Sequence, residues 1–165
     1  MFIFMPSQAL GNAAGVLAGQ NLGAKQPERA ERSGWLGVGL VQAFLTVCSL
    51  AIFLWPEVLV RIFNSQPELV ATASTFLRIA VVGYLMMSLG SVLMSCLNSV
   101  GDTIPPMLVS LLSIWAVQVP LAYFLPRITG LGVLGVRWGM AAGTVLQAAV
   151  YTVYFRLGRW KQKKV

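Results

Sequence analysis

Long uncharged runs alternate with short charged connectors along this chain. Residues 1–24, 33–56, 79–101, 103–126 and 138–155 contain no Asp, Glu, Lys or Arg. A membrane-crossing helix needs about 20 mostly apolar residues, and each run approaches or exceeds that length. The pattern predicts an all-α, polytopic helical membrane protein with about five transmembrane helices, at 2–21, 34–55, 66–98, 104–126 and 136–157. These form one transmembrane domain over 1–158, followed by a basic tail at 159–165. The first run does not read as a signal peptide. It lacks a basic start, and Gly/Asn-rich sequence follows where a cleavage site and soluble body would stand.

Turn and cap residues place the boundaries. Gly23 suits a left-handed helix end, and 24–33 forms a charged connector in which Pro27-Glu28 opens a helical turn. Pro56 stops the second span and 56–66 reads as a loop. Ser65 and Glu68 have the spacing of a capping box and open the third helix, which is longer than a bilayer and must tilt or protrude. Gly101-Asp102-Thr103 breaks the chain. Asp102 or Thr103 can cap the fourth helix, and Pro105 suits its first turn. Pro120 predicts a kink within that helix, and 127–135 is a Gly-rich loop.

Composition strengthens the membrane reading and removes most chemistry. The chain is 57% hydrophobic and 10% charged, against about 25% charged in soluble domains, and its mean hydropathy is +0.75. There is no His, and the five acids are Glu28, Glu31, Glu57, Glu68 and Asp102. No metal set or nucleophile–base pair can be assembled from these, so the chain is not expected to be an enzyme. Cys48 and Cys96 lie in apolar runs and read as small buried hydrophobes. Trp35, Trp55, Trp138 and Trp160 fall at span ends, where indole rings favour the membrane interface.

The net charge of +7 sits beside the spans, so it reads as a topology signal and not as a nucleic-acid surface. The 24–33 connector and residues 156–165 carry eight basic residues and share one side if there are five spans, while Arg61, Arg127 and Arg137 lie opposite. The positive-inside rule then makes the C-terminus cytoplasmic. The first residues begin outside, which implies a further segment upstream.

Three patterns are candidates for function. Gly11, Gly15, Gly19 and Gly23 form a small-residue ridge for close helix packing. Gln8 and Asn12 stand one turn apart beside it, and amides in lipid need a protein partner or a wet cavity. Tyr84, Ser88, Ser91, Ser95 and Asn98 make one polar helix face, which fits either interhelical hydrogen bonding or a substrate path. Met86, Met87 and Met94 are nearby. Arg78 is the one charge well inside a span and is expected to snorkel.

Gly19-Gln20-Asn21-Leu22-Gly23-Ala24 with Pro27-Glu28-Arg29-Ala30 resembles the multidrug and toxic compound extrusion (MATE) family. So do Asn98-Ser99-Val100-Gly101-Asp102-Thr103 with Pro105-Pro106-Met107, Val119-Pro120-Leu121-Ala122-Tyr123, Gly130 to Val136, and Gly158-Arg159-Trp160. The order and spacing of these segments cover nearly the whole chain. The resemblance implies a twelve-helix antiporter of two six-helix lobes in the cell's inner membrane. It would export amphipathic, often cationic compounds against a proton or sodium gradient. This chain would be a partial C-lobe, the last five helices, with the N-terminal lobe as its missing partner. Some relatives carry a coupling carboxylate on the helix that matches 66–98. No acid stands there mid-membrane, so the coupling proton or Na+ is expected in the missing N-lobe. Two rival readings are a lipid-linked oligosaccharide flippase of the same superfamily and a non-transporting membrane fragment or assembly partner.

Overall fold

The computed structural model describes residues 4–63, 66–128, 130 and 132–162. The described residues are helical almost throughout. Helix α1 runs Phe4–Gly23, α2 Pro27–Leu54, α3 Pro56–Arg61, α4 Pro67–Ser99 and α5 Ile104–Leu112. A π-helical segment, Ser113–Gln118, leads into α6, Val119–Ile128. Helix α7 spans Val133–Leu157, and a 3-10 turn follows at Arg159–Gln162.

Among the described residues four helical stretches, not five, are long and apolar enough to cross a membrane: Pro27–Leu54, Pro67–Ser99, Ile104–Ile128 and Val133–Leu157. Helix α1 has the length, at 20 residues. Its Gln8, Asn12, Gln20 and Asn21 make it too polar, because an uncharged run is not always an apolar one. It is instead held by protein, packed along α2 and α4.

Several boundaries differ from expectation, each for a local reason. Gly23 is still helical, and the left-handed residue that ends α1 is Lys25, at φ +60°. Lys25 N–H donates to Leu22 O and Gln26 N–H to Asn21 O, the paired bonds that close a helix end. The connector is mostly the first turns of α2, with Pro27 at its start. The expected 56–66 loop contains α3, which begins at the buried Pro56. Ser65 lies outside the described residues, and the residue at the start of α4 is Gln66, without a side-chain cap. Pro120 disturbs its helix through the π-helical segment just before it. Proline has no N–H to donate and its ring crowds the carbonyl one turn back, which widens the helix there.

Helix α4 stands at the centre, against α1, α2 and α7, while α5, the π segment and α6 pack mainly on α7. The core gathers Val41, Leu45, Val92, Leu93, Cys96 and Leu97 with Ala14, Ala18 and Phe155. Cys96 is buried and Cys48 half-buried, both as free thiols. Residues 159–162 do not stand apart as a tail. Trp160 is fully buried, stacked on Phe155 with centroids 4.8 Å apart, and its indole N–H donates to Phe155 O. It is a core residue and not an interfacial ring. Lys161 Nζ donates to Glu31, so the connector and the chain's last described turn sit at the same end of the bundle.

Candidate functional site

The glycine ridge is where α1 meets α4. A Cβ added at Gly15 would stand 2.6 Å from Ser95 Oγ and 2.8 Å from Ser99 Oγ, and one at Gly19 would stand 2.9 Å from the carbonyl oxygen of Ser99. At Gly11 the nearest atom would be Val92 Cγ2, at 3.3 Å. Gly23 faces open space and does not extend the ridge. The glycines let the two backbones approach closely, which dispersion between helices requires.

Close approach brings side chains into register on the flank of this seam. Ser91 Oγ donates to Gln8 Oε1 at 3.2 Å, and Ser95 Oγ donates to Asn12 Oδ1 at 3.3 Å. Both pairs have the same sequence offset of 83 residues, as parallel helices of equal rise must. Gln8, Asn12, Ser91, Met94, Ser95, Asn98 and Ser99 line an open cleft of about 480 Å³. Asn12, Asn98 and Ser99 are exposed at its mouth. The cleft offers amide and hydroxyl dipoles and no charge, so it can orient polar groups without fixing a counter-ion.

The structure divides the rest of the predicted polar face. Ser88 is buried and donates to Leu85 O of its own helix. At the shared offset it would lie opposite Met5, which has no polar group to give. Tyr84 is 42% exposed and lines a different groove, with Cys48, Leu77, Ala80 and Arg137. Its counterpart in register would be Met1, outside the described residues. Arg78 is exposed, its guanidinium 5.9 Å from the Phe53 ring centroid.

A second polar group was not anticipated. Tyr151, 2% exposed, shares a 2.6 Å hydrogen bond with Ser110 and donates to Pro106 O at 3.0 Å. Gln147 Nε2 donates to Ser110 Oγ at 3.2 Å and to Tyr151 OH at 3.4 Å. Gln147, Tyr151 and Tyr154 follow i, i+4, i+7 on α7, a signal equal to that on α4. Tyr154 OH donates at 2.6 Å to the buried Asp102, which lies in the turn between α4 and α5. Gln42 ties α2 to Leu85 O of α4. Among the described residues no group of three His, Cys, Asp or Glu could hold a metal ion.

A seam of glycines, amides and serines in a bundle of long apolar helices agrees with the family suggested by the motifs. The family model described as MatE matches residues 1–124. This chain belongs to the MatE family. It is 29% identical to a probable multidrug resistance protein of Thermotoga maritima, over 98% of this chain and 35% of that protein. It is 32% identical to one from Burkholderia pseudomallei, over 92% of this chain and 34% of that protein. A solved structure described as the inward-facing conformation of a multidrug resistance MATE family transporter of the MOP superfamily has the same fold. The TM-score is 0.85 at 19% identity, covering 95% of this chain and 36% of that one. The MatE chain thus spans about a third of the length of the relatives it matches. It is a polytopic helical membrane protein of a transporter family, not of an enzyme family.

Proposed function

We propose that this MatE chain is part of a cation-coupled antiporter that exports amphipathic, often cationic drugs and other xenobiotics across a bacterial inner membrane. In this reading it supplies the last five helices of a two-lobe, twelve-helix transporter, with α1 among them despite its polarity. The connector and the C-terminal turn lie in the cytoplasm. Their shared end of the bundle and its basic residues support that orientation. The polar cleft between α1 and α4 carries the proposal, because exposed Asn12 and Asn98 on membrane helices call for a wet cavity or a partner. Gln8, Asn12, Ser91 and Ser95 would line the substrate path. Tyr84 would not, since it stands on another groove.

Coupling would come from elsewhere in the complete transporter. Glu28, Glu31, Glu57, Glu68 and Asp102 all sit at helix starts or junctions, whereas proton or sodium coupling uses an intramembrane carboxylate. The N-lobe partner would supply that acid, whichever ion is used.

The test is reconstitution of the chain in lipid vesicles with ethidium as probe. The chain binds the dye, the double variant Asn12→Ala/Ser95→Ala binds it several-fold more weakly, and a proton or sodium gradient drives no efflux. Gradient-driven efflux by the chain alone would overturn the division of labour. Dye binding unchanged in the double variant would overturn the cleft.

A further inference from the structure

Helices α2, α3 and α4 enclose a second groove, of about 670 Å³, at the end of the bundle opposite Lys161 and Glu31. That volume lies in the range of about 300–1,000 Å³ typical of small-molecule pockets. Its walls are apolar, including Ile52, Leu59, Ala73, Phe76 and Leu77, and its one charged lining residue is Arg137. The Arg137 guanidinium stands 5.3 Å from the Phe76 ring centroid. Arg78, next to Leu77 on α4, stands over Phe53, next to Ile52 on α2. Both arginines are exposed, and among the described residues neither has a carboxylate partner.

Depth decides what such a groove meets. Helix α4 has 33 residues, about 50 Å of helix, against a hydrocarbon core of about 30 Å. Arg78 is eleven residues in from Pro67, about 16 Å. If the excess length of α4 projects at this end, Arg78 and Arg137 stand at the edge of the hydrocarbon. Trp138, 46% exposed, follows Arg137 on α7, and Trp55, 59% exposed, ends α2 two residues past Phe53, both where interfacial rings belong. The apolar groove then opens to acyl chains and the guanidinium groups to headgroup phosphates.

We propose that this groove is a binding site for an anionic phospholipid, with an acyl chain between α2 and α4 and its phosphate held by Arg137, with Arg78 on the flank. A guanidinium left without a carboxylate at this depth is matched by a phosphate, which it can bind through two parallel N–H donors. The site requires only that the chain sits in a bilayer and does not depend on what it transports.

The experiment is native mass spectrometry of the detergent-purified chain, titrated with phosphatidylglycerol or phosphatidylcholine bearing the same palmitoyl and oleoyl chains. Phosphatidylglycerol binds more tightly by well over tenfold. Arg137→Gln and Arg78→Gln each lower its affinity about fivefold, the worth of one basic residue at an anionic surface. Each lowers phosphatidylcholine affinity less, because choline balances the phosphate that both lipids carry, and the phosphatidylcholine binding that remains shows that the variants fold. Ala73→Leu fills the groove and weakens both lipids. Equal binding of the two lipids, phosphatidylglycerol affinity unchanged in Arg137→Gln, or displacement of the lipid by inorganic phosphate alone would each overturn the assignment.

Discussion

Helix α1 meets α4, and α7 meets α6, through glycines four residues apart, but the surroundings of the two seams differ. Gly135 and Gly139 bring α7 against the backbone of Pro126 and Ala122, where an added Cβ would stand 2.8 and 2.9 Å away. A Cβ at Gly143 would overlap the Gln118 side chain. The α1 seam is flanked by amides and hydroxyls and lies beside the buried core. The α6 seam belongs to an arm that faces outward. In the stretch Ile104–Ile128 only 6% of the most apolar window is buried, against 28%, 35% and 28% in the windows of α2, α4 and α7. Both seams use dispersion at short range. The α6 arm can rest in lipid on its own apolarity, whereas α1 is too polar and depends on its protein neighbours.

Two tryptophans should show the largest contrast. Trp160 is 0% exposed and Trp115 is 67% exposed. Trp160→Ala removes a stacked ring from a packed site and should cost about 3–5 kcal/mol. Trp115→Ala on the arm should change stability by no more than about 0.5 kcal/mol. Unfolding in micelles titrated with a denaturing detergent measures both. Similar costs would mean that the arm is packed against something the bundle does not show.

Leucine at the seams comes next. Gly19→Leu and Gly139→Leu each force backbones apart and should cost about 1–3 kcal/mol. Only the first should also expose Asn12 and Ser95 to lipid, so only it should lower yield in membranes. Gly23→Leu, with open space around it, is the control and should be near neutral. A Gly23→Leu loss as large as that of Gly19→Leu would remove the ridge as an explanation.

The turns differ in the same way. The arm turns from α6 into α7 through Gly130 and Gly132, both at positive φ, and α1 turns into α2 through Lys25 at φ +60°. A non-glycine residue there costs about 1–2 kcal/mol, partly offset by the greater freedom glycine loses on folding. Lys25→Gly should therefore stabilise the bundle by about 0.5–1 kcal/mol, while Gly132→Ala should destabilise it by about 1 kcal/mol. Thermal unfolding in detergent reads both signs, and a destabilising Lys25→Gly would mean that the lysine side chain has a role outside the turn.

Much of this was legible in the chain itself. Long uncharged runs place α2, α4, α7 and the Ile104–Ile128 stretch, and the spacing of Gly11, Gly15 and Gly19 marks the α1 seam. The same spacing at Gly135, Gly139 and Gly143 was equally available, but the first of these fell in a run that reads as loop. Counting charges alone overrates α1, since amides do not charge a helix yet do make it polar. The division of the α4 polar face could not be read, because it depends on where α1 starts relative to α4. Trp160 looks interfacial in sequence for a similar reason. Only the turn at Gly158, φ +69°, folds it back onto Phe155.

The smallest expected effect separates the two polar groups. Asn12 with Ser95 sits at an open cleft, and Gln147 with Ser110 sits beside the buried Tyr151. Interhelical hydrogen bonds in membrane proteins couple by about 0.6 kcal/mol on average and at most about 1.7. Water competes for a bond at an open cleft more than for the half-buried Gln147–Ser110 bond, which lies against the buried Tyr151. Double-mutant cycles with alanine should therefore give the Gln147–Ser110 pair a coupling above that average and the Asn12–Ser95 pair one below it. The reverse order would mean that the α1–α4 cleft is dry and closed by a neighbour. Its amides would then be glue between helices, and the substrate path would have to run elsewhere.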